Sequence, residues 1–327
     1  MACKLLGFLY GVILMDKQAK IVIPGAAGLV GQNLIIQLKS QGFSNLVAID
    51  KHGKNTAILK GLHPEVDVIE ADLSVEGEWE SAFQNAAVVI MLQAQIGAKT
   101  IDPFQKNNID STECVLSVMK RHKVPYLVHI SSSVVESVAE DFYTQTKKAQ
   151  EQLVLESGIP HCILRPTLMF GWFDRKHLGW LSRFMEKTPV FPIPGHGKYM
   201  RQPLFENDFC QVIIQAMKKQ PKNEVFNITG KEQVDYIDII RTIKEAKNLK
   251  TLIVKIPFSL FKAMMAFYGL FSKNPPFTTQ QLDALVADDE FELIPWWDVF
   301  DVEPTPFEEA MDLTFNHPEY SKIILEF

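Results

Sequence analysis

Short unbroken apolar runs alternate along this chain with stretches whose apolar residues recur at helical spacing. The runs are Lys20 to Pro24 (KIVIP), Asn45 to Asp50, Asp67 to Glu70, Ala86 to Gln93 (AAVVIMLQ), Tyr126 to Ser131 (YLVHIS) and Pro160 to Arg165 (PHCILR). Helices are predicted over Gly31 to Gln41, Pro103 to His122 and Tyr143 to Ser157. Strands that are apolar at every position, separated by helices, predict a parallel sheet covered on both faces, a doubly wound α/β fold. After Gly171 the texture changes. Pro, Trp and Phe become frequent, as in Pro189 to Gly197 (PVFPIPGHG), and shorter pieces such as Asp208 to Lys219 and Glu224 to Thr229 follow. The expected organisation is an apolar extension (1–16), a nucleotide-binding domain (17–170) and a smaller substrate lobe (171–327). Some lobe segments should return to the main domain.

Composition narrows the function classes. A chain of 327 residues is long enough for a large domain plus a lobe. Its formal net charge of −6 leaves no general electrostatic footprint for nucleic acid. Cys3, Cys114, Cys162 and Cys210 form no C-x-x-C pair, so neither a metal site nor dithiol chemistry is expected. Cys162 and Cys210 read as buried thiols in a reducing compartment. Leu5 to Met15 is almost wholly apolar but too short to span a bilayer. It reads as a start-site artefact with Met15 as initiator, as an interfacial membrane anchor, or as a segment packed on the body. The expected compartment is the cytoplasm, with membrane association if the anchor reading holds.

The chemistry begins at residues 20–31, KIVIPGAAGLVG. Gly25, Gly28 and Gly31 follow a strand and open a helix. Backbone at such a turn can approach a pyrophosphate closely, and the helix N-terminus offers free N–H groups. Asp50 ends the second strand, where a carboxylate accepts ribose hydroxyls and repels a 2′-phosphate. NAD is therefore expected over NADP, although Lys51 and His52 follow directly. Asp72 either faces the adenine or caps at Ser74. Tyr143 and Lys147 stand four apart on one helix face, so the ammonium can lower the phenol pKa and hold the nicotinamide ribose. Ser132 ends the preceding strand, placed to bond the reacting oxygen. This trio suits hydride transfer at an alcohol or carbonyl carbon.

These pieces together resemble the extended short-chain dehydrogenase/reductases of the NAD-dependent epimerase/dehydratase family, with the Rossmann fold. The matching segments are Gly25-x-x-Gly28-x-x-Gly31, Asp50, Ala71-Asp72-Leu73, Asn108 to Thr112, Ser131-Ser132-Ser133, Tyr143-x-x-x-Lys147-x-x-x-Glu151, Arg165-Pro166-Thr167 to Gly171, and Arg201 to Asp208. The resemblance implies Ser132, Tyr143 and Lys147 as the catalytic set. It implies further cofactor contacts from Leu73, Gln93, Asn108 and Pro166, and substrate contacts from Arg201 and Leu168. Arg201 matches a family arginine that grips a nucleotide diphosphate; a surface ion pair is its alternative.

The departures are informative. Ser133 and Val134 stand where dehydratases carry Asp-Glu, Glu136-Ser137 where the family has Tyr-Gly, and Leu168 where nucleotide-sugar enzymes carry asparagine. The short Ser132-to-Tyr143 loop and Gln202 to Asp208 resemble relatives of the nucleotide-binding accessory subunit of respiratory complex I. The apolar stretch Pro257 to Phe271 resembles the hydrophobic segment of 3β-hydroxysteroid dehydrogenases, with core packing or a homodimer contact as the plainer reading of Phe258 to Phe271. The leading expectation is an NAD-dependent epimerase or oxidoreductase acting on a secondary alcohol of a nucleotide-linked sugar. The alternatives are a dehydrogenase on a steroid-like or lipid-like alcohol, and a non-catalytic dinucleotide-binding assembly subunit. The implied partner is a small-molecule substrate, with peripheral membrane contact left open.

Overall fold

The computed structural model describes residues 15–138, 140–271 and 293–326. Leu5 to Leu14 therefore lies outside the described residues, as does Cys3. Met15 packs, partly buried, against the core.

The apolar runs form the sheet. β1 (Ile21–Pro24), β2 (Leu46–Asp50), β3 (Asp67–Glu70), β4 (Val88–Met91), β5 (Leu127–Ile130), β6 (His161–Pro166) and β11 (Glu224–Ile228) pair in parallel in the order β11-β6-β5-β4-β1-β2-β3. Their continuous hydrophobicity has a direct cause. Ile21 and Ile23 point into one apolar layer and Val22 into the other; Val88 and Ile90 likewise oppose Val89 and Met91. Side chains alternate across a strand, so a sheet buried on both faces needs an apolar residue at every position. The strand order reverses beside β1, which pairs with β2 on one side and β4 on the other. In open α/β sheets the crevice at such a switch, at the carboxyl ends, is where ligands bind.

Helices α1 (Leu29–Ser40), α2 (Gly53–Leu62), α4 (Ser111–His122) and α5 (Phe142–Leu155) cover the sheet. The helix predicted from Pro103 to His122 is present but not uniform. A short α3 (Asp102–Phe104) runs into a π-helical turn, Gln105–Asp110, before α4 begins.

The lobe has its own apolar cluster. It is built from α6 (Leu178–Lys187), α8 (Tyr236–Ala246) and the parallel pair β8 (Val190–Pro194) and β13 (Leu252–Ile256). Two smaller pairings join β7 (Met169–Phe170) to β10 (Leu204–Phe205), and β9 (Met200–Arg201) to β12 (Val234–Asp235). The chain then returns to the main domain. α7 (Glu206–Lys219) packs on α1, β11 extends the sheet, and Trp296 is fully buried with its indole N–H on the Thr229 carbonyl at 2.8 Å.

Cys162 and Cys210 are buried, and burial pushes both thiols up in pKa. The stretch Phe258 to Phe271 forms α9. Its Leu260 and Met264 are exposed, so plain core packing does not account for that face. No helix among the described residues is long and apolar enough to cross a membrane.

Candidate active site

Each glycine of the first turn has a separate steric reason. Gly25 has φ +81°, and a Cβ there would lie 2.4 Å from the Gln93 nitrogen. A Cβ at Gly31 would lie 2.2 Å from the Ala26 carbonyl oxygen, so its absence lets α1 press onto the turn. Gly28 is different. Its φ of −79° suits any residue, and its nearest neighbour would be the Gly25 carbonyl at 3.5 Å. A side chain at Gly28 would fold, but it would fill the space in front of the helix. α1 has no acid in its first turn and no side-chain cap, so its leading N–H groups are left for a ligand.

Asp50 lies beside this turn. One carboxylate oxygen accepts the Ala27 N–H at 3.0 Å and the other the His52 N–H at 3.0 Å. Each oxygen keeps a second lone pair for a ribose hydroxyl. Burial pushes the Asp50 carboxyl up in pKa, against the lowering by these two hydrogen bonds. Gln93, at the end of β4, has both side-chain amide atoms buried with no hydrogen-bond partner. Orphaned polar atoms beside a glycine turn are what a missing dinucleotide would leave, so the residues present fit NAD.

Other expected cofactor contacts are placed differently. Asp72 accepts from the Ser74 N–H and hydroxyl and pairs with Lys106 at 2.9 Å. Despite partial burial, Lys106 and Ser74 hold its carboxyl down to about 2. It is a turn-capping residue committed to protein partners. Leu73 is buried in the apolar layer beneath the turn. Asn108 spends its amide on Gln95 N–H at 2.6 Å, Gln95 carbonyl at 3.2 Å and Thr146 hydroxyl at 2.9 Å. It braces the loop after β4 against α5. Pro166 closes β6 opposite Ile228.

Across the crevice, Asp141 caps α5 by accepting the Tyr143 and Thr144 N–H groups at 3.0 and 3.1 Å. This fixes the first turn, and with it Tyr143. Burial raises the phenol pKa of Tyr143, the Ser132 side chain eases it, and the Asp141 charge raises it. The expected lowering by Lys147 is not what this arrangement gives. The Lys147 ammonium is fully buried and donates to the Ile130 carbonyl at 3.0 Å and to Gln150 Oε1 at 2.5 Å. Burial lowers its pKa to about 7, offset in part by Glu151. Gln150 in turn donates to the Thr112 hydroxyl at 2.9 Å and the Gln93 carbonyl at 3.3 Å, linking the lysine to the end of β4.

The remaining motif residues lie around this centre. Glu151 accepts from Ser131 and forms an ion pair with Arg165. Glu136 accepts from Arg165 at 2.9 Å and from Asn227 at 3.0 Å, tying the short turn after Ser132 to β6 and β11. Arg201 is buried rather than at the surface, and its guanidinium donates to the Met200 carbonyl at 2.5 Å. Leu168 is half-buried against the lobe cluster.

Two features were missed in the sequence. Gln150 carried a usable signal, since three residues from Lys147 on a helix means the same face. Glu206 carried none. It is fully buried under Gly171, and burial, with the charge of Asp174, raises its pKa to about 8.

Residues 21–229 match the model of the NAD dependent epimerase/dehydratase family, and the chain belongs to that family. Among curated relatives, it is 23% identical over 263 residues to a 4-hydroxy-2-methyl-3-oxo-4-farnesyl-3,4-dihydroquinoline-1-oxide ketoreductase of Stigmatella aurantiaca, covering 74% of this chain and 77% of that protein. It is 24% identical over 183 residues to a ceramide reductase of Caulobacter vibrioides, covering 54% and 55%. The chain thus spans only about half of the second relative. A UDP-glucuronic acid 4-epimerase from Bacillus cereus, solved with NAD, shares the fold with a TM-score of 0.69, 22% identity and coverage of 91% and 97%.

Proposed function

We propose that this member of the NAD dependent epimerase/dehydratase family interconverts a ketone and a secondary alcohol on a lipid-like substrate, with Tyr143 as proton donor and acceptor. The observation that carries this reading is Tyr143 in the first turn of α5, on the same helix face as the buried Lys147 ammonium, which Ile130 and Gln150 hold in place. Bound nicotinamide supplies or takes up the hydride. Ser132 holds the substrate oxygen beside the phenol. Tyr143 passes its proton to that oxygen as it becomes an alcohol, and takes it back in the reverse direction. Burial keeps the phenol protonated at neutral pH, which suits the reducing direction. Lys147, held by Ile130 and Gln150, stands ready to bond the nicotinamide ribose. Asp50, accepting ribose hydroxyls, makes NAD the preferred dinucleotide.

The substrate class rests on the departures. Ser133 and Val134 cannot serve as the acid and base of water elimination. Leu168 presents an apolar side chain toward the lobe cluster that contains Phe170. The two curated relatives carry a farnesyl chain and a ceramide in their names. The second reading is a nucleotide-sugar epimerase, favoured by the buried guanidinium of Arg201 in the lobe.

Incubation with NADH and either long-chain ketones or nucleotide sugars separates the two. Net cofactor oxidation on ketones supports the reductase; sugar inversion with no net oxidation supports the epimerase. Tyr143→Phe should cut turnover by about a hundredfold or more with little change in NAD affinity. Unchanged turnover in that variant would remove Tyr143 from the chemistry. Retained cofactor without turnover on either class would favour an assembly subunit.

A further inference from the structure

The adenosine side of the crevice is bordered by a segment remote in sequence. After the helix Phe307–Asn316 the chain leaves the lobe and runs back over the main domain. Leu325 is buried there, with Ile323 packed alongside, in a cluster that includes Leu29 of α1 and Ile58 of α2. Asn55, almost fully buried in the first turn of α2, grips the next residue at two points. Its Nδ2 donates to the Glu326 carbonyl at 2.9 Å, and its Oδ1 accepts the Glu326 N–H at 2.8 Å. The Asn55 carbonyl accepts from Gln32 of α1 at 3.2 Å, so the grip is tied to both helices. Held this way, the Glu326 carboxylate pairs with Lys54 at 2.6 Å.

The place is significant because α2 begins at Gly53, just after Asp50. A ribose bonded to Asp50 turns its 2′-position toward residues 51–54. Enzymes that accept a 2′-phosphate provide a free base there. Here each base is occupied. Lys51 donates to Asn107 and lies 3.9 Å from Asp72. His52 accepts the Asn55 N–H at 3.4 Å as the cap of α2. Lys54 is held by Glu326. A third carboxylate, Glu70, lies 3.0 Å from where a Gly53 Cβ would stand. An incoming phosphate would face the carboxylates of Asp50, Glu70 and Glu326, with Lys51 and Lys54 already paired and the nearby Arg175 guanidinium donating to the Leu325 carbonyl at 3.4 Å.

We propose that the segment 323–326, gripped by Asn55 and paired with Lys54 through Glu326, is a specificity element that excludes the 2′-phosphate of NADP. This rests on the reading of residues 20–50 as a dinucleotide cradle. The test is direct titration of the full chain with NAD and with NADP, for the parent and for Glu326→Lys. Both charges lie at the surface, so folding should be unaffected. The variant should bind NADP about tenfold tighter than the parent does, with NAD affinity changed less than twofold. Asn55→Ala, which frees the segment without changing charge, should move the ratio the same way by less. Glu245→Lys, an equal charge change on distant α8, should leave the ratio alone. An unchanged NAD-to-NADP ratio in Glu326→Lys overturns the proposal. So does an equal loss of both affinities, which would make the segment only a brace, and so does an equal gain in Glu245→Lys. NAD binding by the parent reports separately on the cradle; if the parent binds neither dinucleotide, cradle and proposal fall together.

Discussion

Lys147 and Glu206 are both fully buried, and their protonation pulls stability in opposite directions. Lys147 titrates at about 7 when folded, below its ordinary 10.5. The unfolded chain therefore binds more protons between those values, and this group makes the protein more stable as pH rises through them. Glu206 titrates at about 8 when folded, above its ordinary 4.5. The folded chain then binds more protons over pH 4.5 to 8, so its contribution is present below 4.5 and lost as pH rises to 8. Among the described residues Glu206 Oε2 has no hydrogen-bond partner, and the Cys210 thiol approaches Oε1 at 3.8 Å. Glu206→Gln should melt close to the parent at pH 5 and increasingly above it up to pH 8, with a constant gap beyond. Parallel melting curves across that range would show that Glu206 ionises normally. At this scale the sequence was legible where neighbours in space are neighbours in the chain. Asp50 and the glycines follow a strand directly, and Tyr143 and Lys147 share a helix turn. The Asn55–Glu326 grip joins residues 271 apart, and Glu206 packs against Gly171 under the influence of the Asp174 charge; no local pattern encodes either.

Among elements, the strands were legible because a sheet buried on both faces demands unbroken apolar runs, and little else in a protein of this size does. The π-turn at Gln105–Asp110 was not, since a shift from i+4 to i+5 bonding leaves the apolar spacing nearly unchanged. Two-residue strands such as β9 and β12 are too short to show a period. The first turn and α1 yield a sharper test, because the glycines fail in different ways. Gly31→Ala places a Cβ against the Ala26 carbonyl. The helix must shift, and a loss of about 1 to 3 kcal/mol is expected. Gly28→Ala meets only the Gly25 carbonyl, at an ordinary contact distance of 3.5 Å, and an ordinary φ. It should melt within about 2 °C of the parent, a shift worth less than about 1 kcal/mol. It should still bind NAD at least about tenfold more weakly, because the methyl group occupies the path of the pyrophosphate. Calorimetry and titration on the two variants check both halves. A Gly28→Ala protein with full NAD affinity would move the pyrophosphate away from this turn.

At the scale of the whole molecule, the division at residue 170 marks a change of texture rather than a separable unit. The apolar layer on the α1 side of the sheet contains thirty buried residues, and twelve of them come from beyond residue 170, including Phe209, Val212 and Ile213 of α7 and Trp296. β11 covers the edge of β6 along its whole length, from Glu224 opposite Cys162 to Ile228 opposite Pro166. A fragment ending at residue 170 would lose this strand and expose unpaired backbone along β6, an arrangement that invites association. It would also uncover Leu34, Ile35 and Leu38 of α1, which are buried in the layer that α7 completes. The losses fall on one side. The opposite layer, around Val22, Val89, Ile163 and Phe83, is formed entirely by residues before 171 except for the edge contact of Val225. Residues 1–170 should therefore keep substantial helix by circular dichroism but melt without a cooperative transition and associate at micromolar concentration. They should also bind NAD far more weakly than the full chain, although every cradle residue is present, because α1 would no longer be pressed onto the first turn. A fragment that stays monomeric, melts sharply and binds NAD as the full chain does would show instead that the main domain is autonomous, with α7 and β11 as dispensable covers.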